Sequence, residues 1–223
     1  YHDQPAHIVQ EMLDAAIWKD HPLGRPIGGT VESMAAMTRR NVLDYMERSY
    51  KPTNTIVAVA GRVDHDHCVK LVQAAAGRAR HGTPPPPVPF KASSAQQQVS
   101  LSSKDIEQTQ LALGVRIFGR DDDRRYPLRI LNAVLGENMS SRLFQIVREK
   151  HGLAYSVHSS FHLFRETGAL SISAGLDRQR HNRALELIVR ELIRLKETPV
   201  QPKTMKLARD YVIGQTRLGL EST

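Results

Sequence analysis

The segment REKHGLAYSV (148–157) combines an arginine and a tyrosine on either side of a glycine-containing turn. Arg148 offers a planar fork of hydrogen-bond donors that suits a carboxylate or a carbonyl group, and Tyr155 offers one hydroxyl. Their spacing alone leaves two interpretations open. The two residues form a substrate-binding pair, or Tyr155 is a buried strand residue that alternates with Leu153 and Val157 while Arg148 is solvated.

Two groups of residues contain metal-ligand side chains, but their spacing favours other roles. His65, His67 and Cys68 open a predicted helix, on which neighbouring positions point in different directions. Cys68 also fits the apolar stripe of that helix. His158 and His162 lie on one face of a predicted strand without an apparent third ligand, so we predict a surface pair.

The composition is that of a globular protein with an excess of basic residues. Lys and Arg number 31 and Asp and Glu 23 among 223 residues, a net charge of +8. The basic residues are dispersed and aromatic residues make up only 5%, so we expect no nucleic-acid partner. The longest apolar run, 56–60, is too short to span a membrane, and no membrane partner is expected. A single cysteine excludes an internal disulfide.

A proline-rich segment divides the chain. Residues 82–98 (GTPPPPVPFKASSAQQQ) contain four consecutive prolines followed by a Ser/Gln run, a composition typical of a linker. The sequence therefore predicts a first domain at 1–80, a linker at 81–96 and a second domain at 97–223. Because the chain begins with Tyr1 and ends within a predicted helix, we expect it to be a piece of a longer protein.

The first domain is predicted to contain three helices and one strand. Apolar residues at helical spacing predict helices at 5–17 and 38–50 and a third one starting at Asp64. The segment HPLGRPIGGT (21–30) is predicted to be a loop because of its Gly and Pro content. The β-branched run at 55–60 predicts a buried strand.

The second domain is predicted to be an α+β fold in the order ββααββαα, with helices covering one face of a mainly antiparallel sheet. The first domain ends in helix, strand, helix, which predicts a partial copy of a similar unit. The predicted strands are 98–102, 110–118, 154–164 and 169–175, and the helices begin at Pro127, at Ser140 or Ser141 (ending at Gly152), at Arg178 and at Pro202.

Three segments together resemble the pitrilysin/insulinase family of zinc metallopeptidases, which includes the mitochondrial processing peptidase. Residues 21–30 are similar to the loop after the family's zinc-ligand helices, and SYKPTNTIVAVAGRVD (49–64) is similar to the strand that ends the first domain's core. SSRLFQIVREKHGLAYSVHSSF (140–161) is similar to a helix–strand junction in the second domain. The resemblance implies the family's metallohydrolase-type α/β roll, as most of the second, non-zinc domain and the tail of the first.

The resemblance implies zinc in a full-length parent. Active members of the family carry an HxxEH motif, in which two histidines bind zinc and the glutamate activates water, with a distant glutamate as third ligand. Neither HxxEH nor HExxH occurs in this chain. By the family's layout these ligands precede Tyr1, so we expect no metal ligand and no cofactor in this fragment.

The resemblance also implies catalytic roles for Arg148 and Tyr155. In the family, an arginine and a tyrosine at the matching positions face the zinc across the substrate chamber. Tyr155 is thereby implied to donate a hydrogen bond to the oxyanion of the reaction, and Arg148 to position the substrate.

The function implied by the resemblance is that of a fragment of a zinc-dependent endopeptidase. The fragment contributes the substrate-binding and transition-state-stabilising half of a peptide chamber, and by itself is expected to be inactive. The implied partners are an unfolded peptide substrate and, in the full-length protein, a second subunit of a homo- or heterodimer. The alternative is a non-catalytic, peptide-binding partner subunit of such a peptidase. The sequence leaves the compartment open and slightly favours the cytoplasm.

Overall fold

The structure is a computed structural model that describes residues 4–77, 81–91 and 98–221. Contacts within the chain define two compact units. The larger unit comprises Tyr1–Arg25 together with Phe90–Thr223, and the smaller unit comprises Pro26–Pro89. Residues 92–96 of the predicted linker, and residue 97 after it, lie outside the described part of the chain.

The larger unit contains a three-stranded antiparallel sheet in the order β1-β3-β2. Its strands are β1 (Gln108–Ile117), β2 (Ala154–Leu163) and β3 (Gly168–Asp177). Strands β2 and β3 form a hairpin, closed where the backbone N–H of Phe164 donates to the carbonyl oxygen of Thr167 at 2.8 Å. These three strands confirm the predicted strands at 110–118, 154–164 and 169–175.

The predicted strand at 98–102 is wrong. These residues are exposed and belong to no strand. An alternating apolar pattern forms a strand only where a neighbouring strand supplies backbone partners. No described strand pairs with this segment, so the sheet has three strands instead of the predicted four.

The main core lies between one face of the sheet and three helical segments. Helix α5 (Arg125–Leu135), the π-helix Phe144–Lys150 and helix α6 (His181–Glu197) cover this face. Their apolar side chains meet alternate residues of the strands, as expected because successive strand residues point to opposite faces. The result is the predicted α+β arrangement, with buried residues that include Leu135, Leu143, Val147, Val157, Ile172, Leu176 and Ile188.

Helix α7 (Pro202–Glu221) adds a second layer. It packs on α5, where Ala208 contacts a small apolar cluster that contains Ala133 and Val134. The helix is 20 residues long. None of the helices in the described ranges combines the length and apolar character needed to cross a membrane.

Helix α1 (Pro5–Ile17) covers the other face of the sheet. The side chains of Leu13 and Ile17 lie directly over Gly114 of β1, where a Cβ atom would approach the Ile17 Cδ1 to 2.4 Å. Trp18, which follows the helix, is buried with its ring edge-on to Phe164 at 5.2 Å between centroids. Helix α1 therefore packs with the second half of the chain, whereas the linker composition predicted it within a first domain at 1–80. Those domain boundaries, which concern a longer protein, stay a prediction.

The smaller unit contains helices α2 (Val31–Ala35), α3 (Arg39–Ser49) and α4 (His65–Ala76). Reciprocal hydrogen bonds between Thr38 and Asn41 cap the start of α3. The Asp64 side chain accepts from the backbone N–H of His67 at 2.8 Å at the start of α4. These local signals explain why the two longer helices begin where the sequence predicted.

The predicted buried strand at 55–60 is not formed in the smaller unit. Ile56 is 94% exposed, and no residue described in 26–77 and 81–89 is buried. A β-branched apolar run is stable as a buried strand only when other segments cover it and pair with its backbone. The described part of this unit supplies neither, so the segment is extended and exposed.

Asp14 on α1 gives the larger unit a pH-dependent stability. Burial raises the pKa of the Asp14 carboxyl, and a hydrogen bond from Gln10 opposes this change. Because the folded protein holds this proton more tightly than the unfolded chain does, ionisation of Asp14 lowers the free energy of unfolding as pH rises. Below the ordinary carboxyl pKa of about 4, Asp14 is protonated in both states and the free energy of unfolding is not lowered. Above the raised pKa, Asp14 is ionised in both states and the free energy of unfolding is lowered by the full amount.

We expect Asp14→Asn to raise the Tm at pH 7 by about 1–3 °C. For a domain of this size, about 1 kcal/mol of stability corresponds to 2–4 °C. Because Asp14 is only half buried and solvent partly screens its charge, we expect a shift in the lower part of this range or slightly below it. Thermal melts of the variant and the wild type should converge near pH 3, a point below about 4 where the carboxyl is protonated in both states. Asp105→Asn, at a fully exposed carboxyl, is the matched control and should leave the Tm unchanged. An equal gain at both pH values would contradict the assignment.

Candidate functional site

The structure brings Arg148 and Tyr155 together on the surface of the larger unit. The central guanidinium carbon of Arg148 lies 6.0 Å from the centroid of the Tyr155 ring. Tyr155 is 74% exposed, and Arg148 is exposed as well. The donor groups of both residues are therefore open to a ligand that approaches from solvent.

The π-helix Phe144–Lys150 positions Arg148. Buried Val147 fixes the inner side of this helix against the core. Gly152 ends the segment in the left-handed region, at φ 56°, a conformation that glycine adopts without steric cost. The backbone N–H of Leu153 then donates to the Val147 carbonyl at 2.9 Å. The predicted stop at Gly152 is confirmed, but the sequence predicted an ordinary helix where the structure has a π-helix, a rare form often found at functional sites.

A register shift at the start of β2 positions Tyr155. Ala154 pairs with Leu176 and Ser156 pairs with Gly175, so two steps along β2 match one step along β3. Tyr155 is the extra residue, as in a β-bulge, which re-aims a side chain.

The exposure of Tyr155 contradicts one part of the second interpretation that the sequence left open. Leu153 and Val157 are buried, whereas Tyr155 between them points to solvent. The interpretation of Tyr155 as a buried strand residue in strict alternation with them is wrong. Tyr155 is exposed because the register shift interrupts the alternation in which every second strand residue points to the core.

The turn before Tyr155 is tied to the end of β3. Arg180 donates from Nη2 to the Gly152 carbonyl at 3.1 Å, and the Asp177 N–H donates to the Leu153 carbonyl at 3.3 Å. The backbone N–H of Gln179, with additional help from Arg180, holds the pKa of Asp177 below its ordinary value. The carboxylate is therefore ionised near neutral pH and keeps Arg180 near the turn.

A cavity of about 660 Å³ lies beside Tyr155, between the ends of the strands. Its lining is mostly polar and includes Glu107, Gln108, Gly152 and Arg178. Such a lining can hold an extended peptide through backbone and side-chain hydrogen bonds. Gly152 precedes Tyr155 in the same segment, whereas Glu107, Gln108 and Arg178 are distant in sequence and reach the cavity only through the pairing of the strands.

The described residues do not form a zinc site. Nowhere in 4–77, 81–91 and 98–221 do three or more His, Cys, Asp or Glu side chains cluster as metal ligands would, whereas zinc in peptidases takes three protein ligands. His158 and His162 are exposed on β2, and Cys68 on α4 is a free, partly buried thiol. These residues therefore do not fit the metal that the sequence resemblance implies for a parent enzyme.

The described part of the larger unit is an α+β domain: an antiparallel sheet with helices on its faces and an exposed Arg–Tyr pair at a helix–strand junction. The family model for the peptidase M16 inactive domain matches residues 36–212. The chain belongs to this family, which confirms the resemblance to the pitrilysin/insulinase metallopeptidases.

The chain is 38% identical over 225 residues to an uncharacterized zinc protease of Mycobacterium leprae, in a match that covers 99% of this chain and 50% of that protein. The chain spans about half the length of the curated relatives it matches. About half of each of these relatives therefore lies outside the match.

Solved structures show the same fold. A peptidase M16 inactive domain from Pseudomonas fluorescens matches with a TM-score of 0.80 and 22% identity, over 96% of this chain and 52% of that chain. A protease from Helicobacter pylori matches with a TM-score of 0.87 and 20% identity, over 99% of this chain and 55% of that chain. At these identities the likeness concerns the fold alone.

Proposed function

We propose that this chain is the part of a zinc-dependent endopeptidase that binds the peptide substrate and stabilises the transition state. The observation that carries the proposal is the exposed pair of Arg148 and Tyr155, with 6.0 Å between the guanidinium carbon and the ring centroid. The adjacent polar cavity and the zinc-protease names of the relatives support it.

The chemistry of the pair suits peptide hydrolysis. When water adds to a peptide carbonyl, the carbonyl oxygen becomes an oxyanion, and a hydroxyl placed beside it stabilises the negative charge. Tyr155 supplies such a hydroxyl. Arg148 supplies a planar pair of donors that holds a substrate carbonyl or carboxylate in a fixed orientation. Because both side chains are exposed, they reach the substrate directly.

The zinc ligands belong to the other part of a longer protein in this proposal. The curated relatives are about twice as long as this chain and are named as zinc proteases. This chain alone is then inactive. The substrate is an unfolded peptide, which enters a chamber built from both parts, and the full-length protein acts as a homo- or heterodimer.

Replacing Arg148 with lysine in the full-length protein tests this function. Lysine keeps the positive charge but loses the planar pair of hydrogen-bond donors. One charge-assisted hydrogen bond contributes about 1.5–3 kcal/mol. We therefore expect kcat/KM for an unstructured peptide to fall about tenfold or more, mainly through a higher KM. Arg190→Lys, at an exposed position on α6, is the matched control and should leave both constants unchanged. Equal kinetics for the two variants would refute the role of Arg148.

The alternative, a non-catalytic peptide-binding subunit, predicts a different result in the same experiment. The same exposed pair would then bind peptide without hydrolysis. The full-length protein would contain no tightly bound zinc and cleave no peptide, and Arg148→Lys would weaken peptide binding measured by fluorescence anisotropy. Chelator-sensitive cleavage by the purified full-length protein excludes this alternative.

A further inference from the structure

We infer that Phe144 is a positioning residue that holds the guanidinium of Arg148 beside Tyr155. This inference rests on the proposed function, in which Arg148 contacts the substrate, and it adds a residue that neither the sequence motif nor the family likeness assigns. The central guanidinium carbon of Arg148 lies 4.8 Å from the centroid of the Phe144 ring and 6.0 Å from that of Tyr155. Both distances are within the range of a cation–π interaction.

The polar contacts of Arg148 are too weak to fix its position. Within the described part of the chain its ion-pair partner is the neighbouring Glu149, with 3.8 Å between Nε and Oε1. Both side chains are about half exposed, and an exposed pair at this distance holds a long side chain poorly. The two rings are therefore the groups that restrict where the guanidinium lies.

Of the two rings, Phe144 is the better anchor. Phe144 lies four residues before Arg148 on the same helix and is partly buried, whereas Tyr155 is exposed and needs its hydroxyl free for the substrate. A guanidinium held on the Phe144 ring also lies near Tyr155, since its central carbon is 4.8 Å from the Phe144 ring centroid and 6.0 Å from that of Tyr155. This arrangement presents the arginine and tyrosine donors to one ligand at the same time.

The position of Arg148 can be measured in this 223-residue chain without any catalysis. Aromatic rings shift the NMR signals of protons that lie over their faces, so the side-chain δ-methylene protons of Arg148 should resonate upfield of their usual position. Phe144→Leu keeps an apolar side chain but removes the ring, and we expect most of this shift to disappear. Phe144→Tyr keeps the ring and should retain the shift.

A matched control is available at another arginine–aromatic pair. The guanidinium of Arg125 lies 4.8 Å from the Tyr126 ring centroid. Tyr126→Leu should therefore change the Arg125 signals and leave those of Arg148 unchanged. Melting curves of all variants should overlap with the wild type, which shows that the shifts report position and not unfolding. Arg148 signals that stay the same in Phe144→Leu would overturn the inference.

Kinetics of the full-length protein separate this inference from the proposed function. Phe144→Leu should raise KM and lower kcat/KM about three- to tenfold, the scale of one cation–π contact at a partly exposed site, and Phe144→Tyr should restore the wild-type values. Unchanged kinetics in Phe144→Leu beside a large effect of Arg148→Lys would overturn the positioning role alone. No effect of Arg148→Lys on the kinetics would overturn the proposed function. The NMR signals of Arg148 in Phe144→Leu would still show whether Phe144 contacts Arg148.

Discussion

Replacing Tyr155 with phenylalanine is expected to lower the turnover of the full-length protein by about ten- to a thousandfold, the usual scale for losing one oxyanion donor. The substitution keeps the ring and removes only the hydroxyl. The stability should hardly change, because Tyr155 is 74% exposed and a hydroxyl in water leaves no buried partner unsatisfied. The loss should appear mainly in kcat, since the oxyanion exists only in the transition state.

The measurement is steady-state cleavage of an unstructured peptide, together with thermal melts of each variant. Tyr126→Phe is the matched control, because Tyr126 is also exposed and lies on α5, outside the cavity beside Tyr155. We expect wild-type kinetics from it. A Tyr155→Phe variant with normal turnover would show that the hydroxyl has no catalytic role.

Local sequence patterns predicted three strands and the longer helices of this chain, but not the short helix α2. Caps such as Asp64 and the apolar stripe of α6 are patterns within a few residues, so they can be recognised from the sequence without knowing which segments pack against them. The predictions of strands at 55–60 and 98–102 were wrong because a strand does not depend on local sequence alone. A strand depends on partners that are distant in sequence, and neither segment has such a partner among the described residues.

The residues proposed for the candidate site come from the sequence, whereas their geometry comes from the folded chain. The segment that carries Arg148 and Tyr155 was found through resemblance to known metallopeptidases. The register shift that exposes Tyr155 depends on how β2 pairs with β3, and this pairing has no sequence signature. The contact of Phe144 with Arg148 agrees with their spacing of four residues, which places two side chains side by side on a helix.

Removing the cation of the buried ion pair between Arg142 and Glu191 should be the most destabilising change considered for this chain. Glu191 on α6 is only 4% exposed, and its Oε2 lies 3.8 Å from Nη1 of Arg142. Among the described residues neither of these two buried atoms has a hydrogen-bond partner. The pair is thus held by charge attraction alone in a poorly solvated place.

Arg142→Met is expected to lower the free energy of unfolding by about 3–5 kcal/mol, because it leaves the Glu191 carboxylate buried without its cation. Arg194, whose Nη1 lies 3.7 Å from the other Glu191 oxygen, is mostly exposed and should offset only part of this loss. Urea unfolding followed by fluorescence of Trp18, the single tryptophan of the chain, measures the effect in the larger unit, where Trp18 is buried.

The double variant Arg142→Met with Glu191→Leu should recover the stability lost in Arg142→Met and reach or exceed that of the wild type. Two well-packed apolar side chains avoid the cost of removing two charges from water, a cost that an ion pair without hydrogen bonds does not offset. The two substitutions must therefore be strongly non-additive, which a double-mutant cycle detects. A double variant no more stable than Arg142→Met alone would show that the stability lost in Arg142→Met does not come from the unpaired charge of Glu191.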